Sequence, residues 1–159
     1  MNSISLVRRI KARPSIVFDA LTTADGIASW WGPDDVPVVR VEVDARMGGA
    51  YRVRFRTLDG REHEAYGTFL ELVAPRRVVM TWRYALGGEA DEHGRTSRIE
   101  IDLVPFAGGT DLRFTHADLA SDASELSHAW GWTGALDKLV RHLEDAGNPA
   151  YPPTSSKEN

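Results

Sequence analysis

The stretch Asp122 to Ala146 sets the terms for the rest of the chain. Within it Ala129, Trp132, Leu136, Leu139, Val140 and Leu143 recur at steps of three and four residues, the spacing of one apolar face on an α-helix. Asp122 with Glu125 reads as an N-cap and its reciprocal partner, and Gly147 followed by Pro149 as the stop. A helix of that extent is roughly 36 Å long. Asp137, Lys138, Arg141, Glu144 and Asp145 fall on the opposite side and are expected to face water. A stripe this long needs a broad apolar surface from the preceding chain. The expectation is a curved sheet wrapped round the helix, with a cavity between them.

The rest of the chain reads as that sheet. Ile4 to Lys11 has strand-like content and ends at Arg13-Pro14, where proline at a first helical position suits a short helix over Ser15 to Leu21. A second short helix covers Ala24 to Trp30, closed by Gly32-Pro33. Six further strands follow: Val38 to Asp44, Ala50 to Leu58, Glu62 to Val73, Val78 to Tyr84, Ser97 to Val104 and Thr110 to His116. Short turns join most of them, so an antiparallel meander is predicted. The fold class is therefore α+β, with residues 1–147 as one domain and 148–159 as a polar tail expected to be disordered.

Register can be argued at one hairpin. A three-residue loop 58–60, with Gly60 left-handed, sets Arg56 beside Glu62 and Arg54 beside Glu64 and turns Tyr51, Val53, Phe55 and His63 inward. A two-residue loop would slip the register by one and bury Glu62 and Glu64 on the aromatic face, which is costly. Opposite charges then pair outside, and the alternation of Arg52, Arg54 and Arg56 with aromatics is a charge-paired outer surface rather than a nucleic-acid strand. Gly108-Gly109 closes the last hairpin, placing Ile99, Ile101 and Leu103 on one face with Leu112, Phe114 and His116. The segment Ala85 to Thr96, rich in Gly, Asp and Glu, is expected to be a mobile surface loop near the cavity mouth.

Composition excludes several chemistries. A chain of 159 residues with 42% apolar content can bury a real core. The absence of cysteine removes thiolate catalysis and disulfides, and a net charge of −4 argues against tracking a phosphate backbone. Met1 to Arg9 carries no apolar run of signal-peptide length, and no stretch approaches a membrane span, so a cytoplasmic protein without a membrane partner is expected. His63-Glu64 opens a metalloprotease-like motif, but the position four beyond His63 is Gly67. The five histidines show no ligand pair at helical spacing, so neither metal nor cofactor is expected. No serine sits in a nucleophile elbow, and Met47-Gly48-Gly49-Ala50 is a turn before a strand rather than a phosphate cradle.

What remains is an inward-facing set. Tyr51, Phe55, His63, Phe69, Met80, Trp82, His116, Trp132 and Leu136, with Trp30 and Trp31 arriving from the short helices, are the candidate ligand-binding residues. An apolar pocket with a few convergent polar groups is the usual form of a small-molecule site, and two inward histidines need hydrogen-bond partners. Gly131 and Gly134 are each costly inside a helix. They imply either close helix-to-sheet packing or room for a ligand. Trp130 lies off the stripe and is expected to cover the Ala85 to Thr96 loop or to meet a second subunit in a homodimer.

The motifs, taken in order, resemble a known family. Phe18-Asp19-Ala20-Leu21-Thr22, Trp30-Trp31-Gly32-Pro33, Asp44-Ala45-Arg46-Met47-Gly48-Gly49, Gly67-Thr68-Phe69, Pro75-Arg76-Arg77-Val78, Thr81-Trp82 and Gly131-Trp132 with Leu136 and Leu139 are similar to the START-like, helix-grip (SRPBCC) superfamily in its branch related to the activator of heat shock protein 90 ATPase. The likeness spans roughly Ile4 to Ala146. It implies six or seven antiparallel strands round the C-terminal helix, two short helices after the first strand, and a hydrophobic cavity. Three functions follow as expectations. The first is carriage of a small, largely apolar molecule, aromatic ones included. The second is a cyclase or dehydratase using His63 or His116 as acid or base. The third is an interaction module of the co-chaperone kind linked to stress response, although a chaperone partner is not expected because the second, chaperone-binding domain is not read in this sequence.

Overall fold

The computed structural model describes residues 2–146. The expected helix stop at Gly147 and Pro149 and the tail 148–159 lie outside the described residues. Seven strands form one antiparallel sheet: β1 (Asn2–Ile10), β2 (Arg40–Val43), β3 (Ala50–Arg56), β4 (Glu62–Val73), β5 (Arg77–Leu86), β6 (Ser97–Phe106) and β7 (Gly109–Leu119). Their order is β1-β7-β6-β5-β4-β3-β2, a meander closed by the first strand. Helices α1 (Pro14–Thr22) and α2 (Ala24–Trp30) follow β1, and α3 (Asp122–Ala146) ends the described chain. This is an α+β helix-grip architecture.

Local chemistry accounts for the element ends. Pro14 opens α1 because its missing N–H would have no helical partner there. The side chain of Thr23 accepts from the Gly26 N–H at 3.1 Å and caps α2. At α3 the cap is Ser121, not Asp122: its Oγ accepts from the Ser124 N–H at 3.1 Å. Asp122 and Glu125 instead accept from the Asn2 amide at 2.7 and 3.1 Å and tie the helix start to β1.

The β3–β4 hairpin has the three-residue loop. Thr57 N–H donates to Arg61 O at 3.0 Å, Gly60 has φ +85°, and Arg56 pairs with Glu62 and Arg54 with Glu64. Arg54 Nε reaches Glu64 at 3.0 Å and Arg52 also meets that carboxylate, so two guanidinium groups cover a side chain that would otherwise be exposed. In the last hairpin the turn is Ala107-Gly108; Gly109 is already paired, with Phe106. An added Cβ on Gly109 would lie 2.1 Å from Ile10 O, which explains why a second glycine is needed there.

The polar side of α3 does more than face water. Asp137 accepts from Arg8 Nε at 2.7 Å, Arg141 grips Asp34 at 2.7 and 2.8 Å, Lys138 Nζ donates to Pro33 O at 3.1 Å, and Glu144 accepts from the Lys11 N–H at 3.1 Å. These contacts fix the helix at its flanks while Trp132, Leu136, Leu139 and Leu143 enter the core. The buried face also includes Ser124, His128 and Ala135. Among the described residues no helix is long and apolar enough to cross a membrane.

A cleft at one end of the helix grip

The interior is not hollow along its length. Leu21, Ile27 and Trp30 from α1 and α2 pack between the sheet and Trp132 of α3, and with Tyr51, Phe69, Val78, Met80, Ile101 and Phe114 they leave a void of only about 10 Å³. The open space lies at the end where the N-terminal half of α3 passes the β3–β4 hairpin and the β5–β6 connection. There a cleft of about 640 Å³ is lined by Trp31, Phe55, His63, Trp82, Tyr84, His128, Trp132 and residues of three loops.

The expected lining residues therefore separate into groups. Trp31, Phe55, His63, Trp82 and Trp132 line the cleft. Trp30, Tyr51, Phe69 and Met80 surround the small interior void instead. Trp30 Nε1 donates to Ala20 O at 2.8 Å and Tyr51 Oη to Thr81 O at 2.6 Å, so their polar atoms are used within the core. Leu136 and His116 are fully buried and line neither space.

Aromatic geometry gives the cleft its walls. Trp31 stacks on Trp82, with centroids 5.6 Å apart and planes 8° from parallel, and stands edge-on to Trp132 and Phe55. Phe55 stacks on His63 at 5.3 Å. Gly131 and Gly134 lie on the cleft side of α3, and a Cβ added at either would meet nothing within 4 Å. Open space, not close packing, accompanies both glycines. Trp130 is 84% exposed at the rim and does not cover the β5–β6 connection.

The two singled-out histidines have protein partners on both nitrogens. The Gly88 N–H donates to His63 Nδ1 at 2.9 Å, so Nε2 carries the hydrogen and donates to Thr57 Oγ1 at 3.1 Å; that hydroxyl donates to Asp59 at 2.6 Å. His63 thus clips the β3–β4 loop to the β5–β6 connection. Burial, and next the charge of Arg61, depress its proton affinity. Trp132 Nε1 donates to His116 Nδ1 at 3.1 Å, leaving Nε2 to donate to Ser97 Oγ at 2.8 Å. Burial, with His128 nearby, holds His116 neutral well below the ordinary histidine range.

Sequence reasoning missed Glu92, Ser124 and His128. Residues 85–96 are not a featureless loop: β5 runs to Leu86, and a 3-10 turn, Ala90–Glu92, is closed by reciprocal bonds between Glu89 and Glu92. Glu92 is only 6% exposed. Its Oε2 accepts from Ser124 Oγ at 2.8 Å and from His128 Nε2 at 2.6 Å. Burial opposes its ionisation most strongly, but the hydrogen bonds from His128, Glu89 and Ser124 outweigh it and keep the carboxyl below its ordinary value. Trp82 Nε1 is the one sealed side-chain polar atom among the described residues without a partner. Among those residues no group of three or more His, Asp or Glu converges as a metal site.

A seven-stranded sheet wound on a long C-terminal helix, opening in an aromatic cleft at one end, defines a START-like helix-grip domain. Residues 11–144 match the model of the family described as Activator of Hsp90 ATPase homolog 1-like protein, and the chain belongs to that family. No curated protein matches it. Among solved structures, protein CV1439 from Chromobacterium violaceum is 30% identical with a TM-score of 0.78, over 90% of this chain and 97% of that one. The AHSA1 (SPO3351) protein from Silicibacter pomeroyi, at 24% identity and a TM-score of 0.77 over 91% and 99% of the two chains, shares the fold. So does Ms6760 from Mycobacterium smegmatis, at 14% identity and a TM-score of 0.76 over 94% and 93%.

Proposed function

We propose that this protein binds one small, largely apolar aromatic molecule in the end cleft, as a carrier or sensor rather than as an enzyme acting through His63 or His116. The observation that carries the reading is a space of about 640 Å³ walled by Trp31, Phe55, Trp82, Tyr84 and Trp132, in a domain whose remaining interior is filled by side chains. That volume lies within the range of small-molecule pockets, roughly 300 to 1,000 Å³. Burying a guest there contributes about 25 cal/mol per Å² of apolar area before the costs of association. His63 and His116 spend both ring nitrogens inside the protein. That removes the free lone pair a general base requires.

Native mass spectrometry of protein purified from its own host tests the reading. A mass adduct is expected on the wild type and is expected to be lost in Gly134→Leu, where the new side chain grows into the cleft. A wild-type spectrum without adduct, together with equal binding of 2-naphthol by the two proteins, would overturn it.

A further inference from the structure

The cleft wall contains one oriented basic nitrogen. Glu92 uses both oxygens on the protein: Oε1 takes the Glu89 N–H at 3.0 Å, and Oε2 takes Ser124 Oγ and His128 Nε2. Because a carboxylate only accepts, the hydrogen of His128 must sit on Nε2. A neutral imidazole then carries its lone pair on Nδ1. No group among the described residues bonds that atom, and it is not sealed from solvent, since the only sealed unpartnered side-chain atom there is Trp82 Nε1. His128 is itself a lining residue of the cleft.

The ring is also held in place. It stacks on Tyr84, with centroids 6.0 Å apart, and meets His116 and Trp82 edge-on at 4.4 and 5.6 Å. Those three contacts and the Glu92 bond fix both tautomer and direction, the arrangement by which a carboxylate makes a histidine a better acceptor. The other lining charges are Asp34, Asp59 and Glu89 against Arg61, and Asp34 is held by Arg141. With Glu92 behind the imidazole, the surroundings are net negative and oppose an anionic guest.

We propose that Glu92 and His128 form a ligand-orienting pair, in which His128 Nδ1 accepts a hydrogen bond from an uncharged donor, a hydroxyl in the simplest case, on an otherwise aromatic guest. This rests on the end cleft being the binding site. It names the polar group that the guest presents and the atom that reads it. His128 is a positioning residue for the guest, and Glu92 positions His128.

Quenching of tryptophan fluorescence by three probes tests it on the full chain at neutral pH. 2-Naphthol is expected to bind about fivefold tighter than 2-methoxynaphthalene, the discrimination expected of one hydrogen bond to a neutral acceptor, and tighter than 2-naphthoate. In His128→Phe the naphthol-to-ether ratio is expected to fall to about one. Nitrogen-15 spectra of the wild type, which need no variant to fold, are expected to place the His128 hydrogen on Nε2. Equal binding of naphthol and ether, preference for naphthoate, a ratio unchanged in a folded His128→Phe, or a hydrogen on Nδ1 would each overturn the pair while leaving the cleft reading intact. Failure of all three probes to bind the wild type would overturn both.

Discussion

A histidine sealed in a core needs a donor for one nitrogen and an acceptor for the other, and His116 has both in Trp132 Nε1 and Ser97 Oγ. Charging it would break the Trp132 bond and place a cation in a fully buried site, so its folded-state affinity for a proton is far below that of the unfolded chain. Below the ordinary histidine value of 6.5 the unfolded state takes up a proton that the native state refuses, so stability is fully present above that pH and drains as pH falls beneath it. The loss approaches about 1.4 kcal/mol per pH unit for one such group, and His63 adds in the same direction. Urea denaturation from about pH 7 to about pH 5 should show this slope, and His116→Gln should flatten it by about one proton while lowering stability by about 1–3 kcal/mol. An unchanged slope in the variant would place the proton uptake elsewhere. The inward direction of both histidines followed from strand alternation; their partners did not. Ser97 is 19 residues away and Trp132 is 16, and distance along the chain says nothing of which hydroxyl or indole arrives.

At the scale of elements, the helix stripe and the Arg–Glu register were legible because both depend on near neighbours. Three- and four-residue spacing fixes which face of α3 is buried, and like-facing carboxylates fix which way β3 meets β4. The Glu92 to His128 contact spans 36 residues and joins a polar connection to a helix, where composition gives no guide. One signal was present: Ser124 and His128 stand eight and four residues before Trp132 on the same stripe, and a polar residue on a buried stripe demands a partner. The helical glycines allow a sharper test. Gly131→Ala and Gly134→Ala should each raise stability by about 1 kcal/mol, because the helix gains propensity and the methyl group meets only open space. Thermal melts should rise for each. Gly87→Ala should do the reverse, since φ is +77° and the Cβ would lie 2.3 Å from His63 Nδ1, and melts measured beside the first two would show it. A lower melting temperature for the α3 variants would mean that α3 packs more tightly there than the cleft geometry gives.

Taken as a whole, the molecule divides into a packed half and an open end, and stability and binding should divide with it. Phe69 is 1% exposed beside the small interior void, and α1 and α2 leave no slack around it. Phe69→Ala is therefore expected to cost about 3–5 kcal/mol, transfer and cavity terms together, and to leave 2-naphthol affinity within about twofold as long as the protein is folded. Trp130 behaves in the opposite way. Its ring is solvated at the cleft rim, so Trp130→Ala should change stability by no more than about 0.5 kcal/mol yet, if the probe occupies the proposed site, weaken its binding several-fold, because Trp130 lines the same cleft as Trp31 and Trp82. Urea midpoints and probe titrations on the two variants separate the outcomes. If Phe69→Ala abolished binding in a folded protein while Trp130→Ala left it untouched, the guest would have to lie deep between sheet and helix, and the filled interior would have to open to admit it.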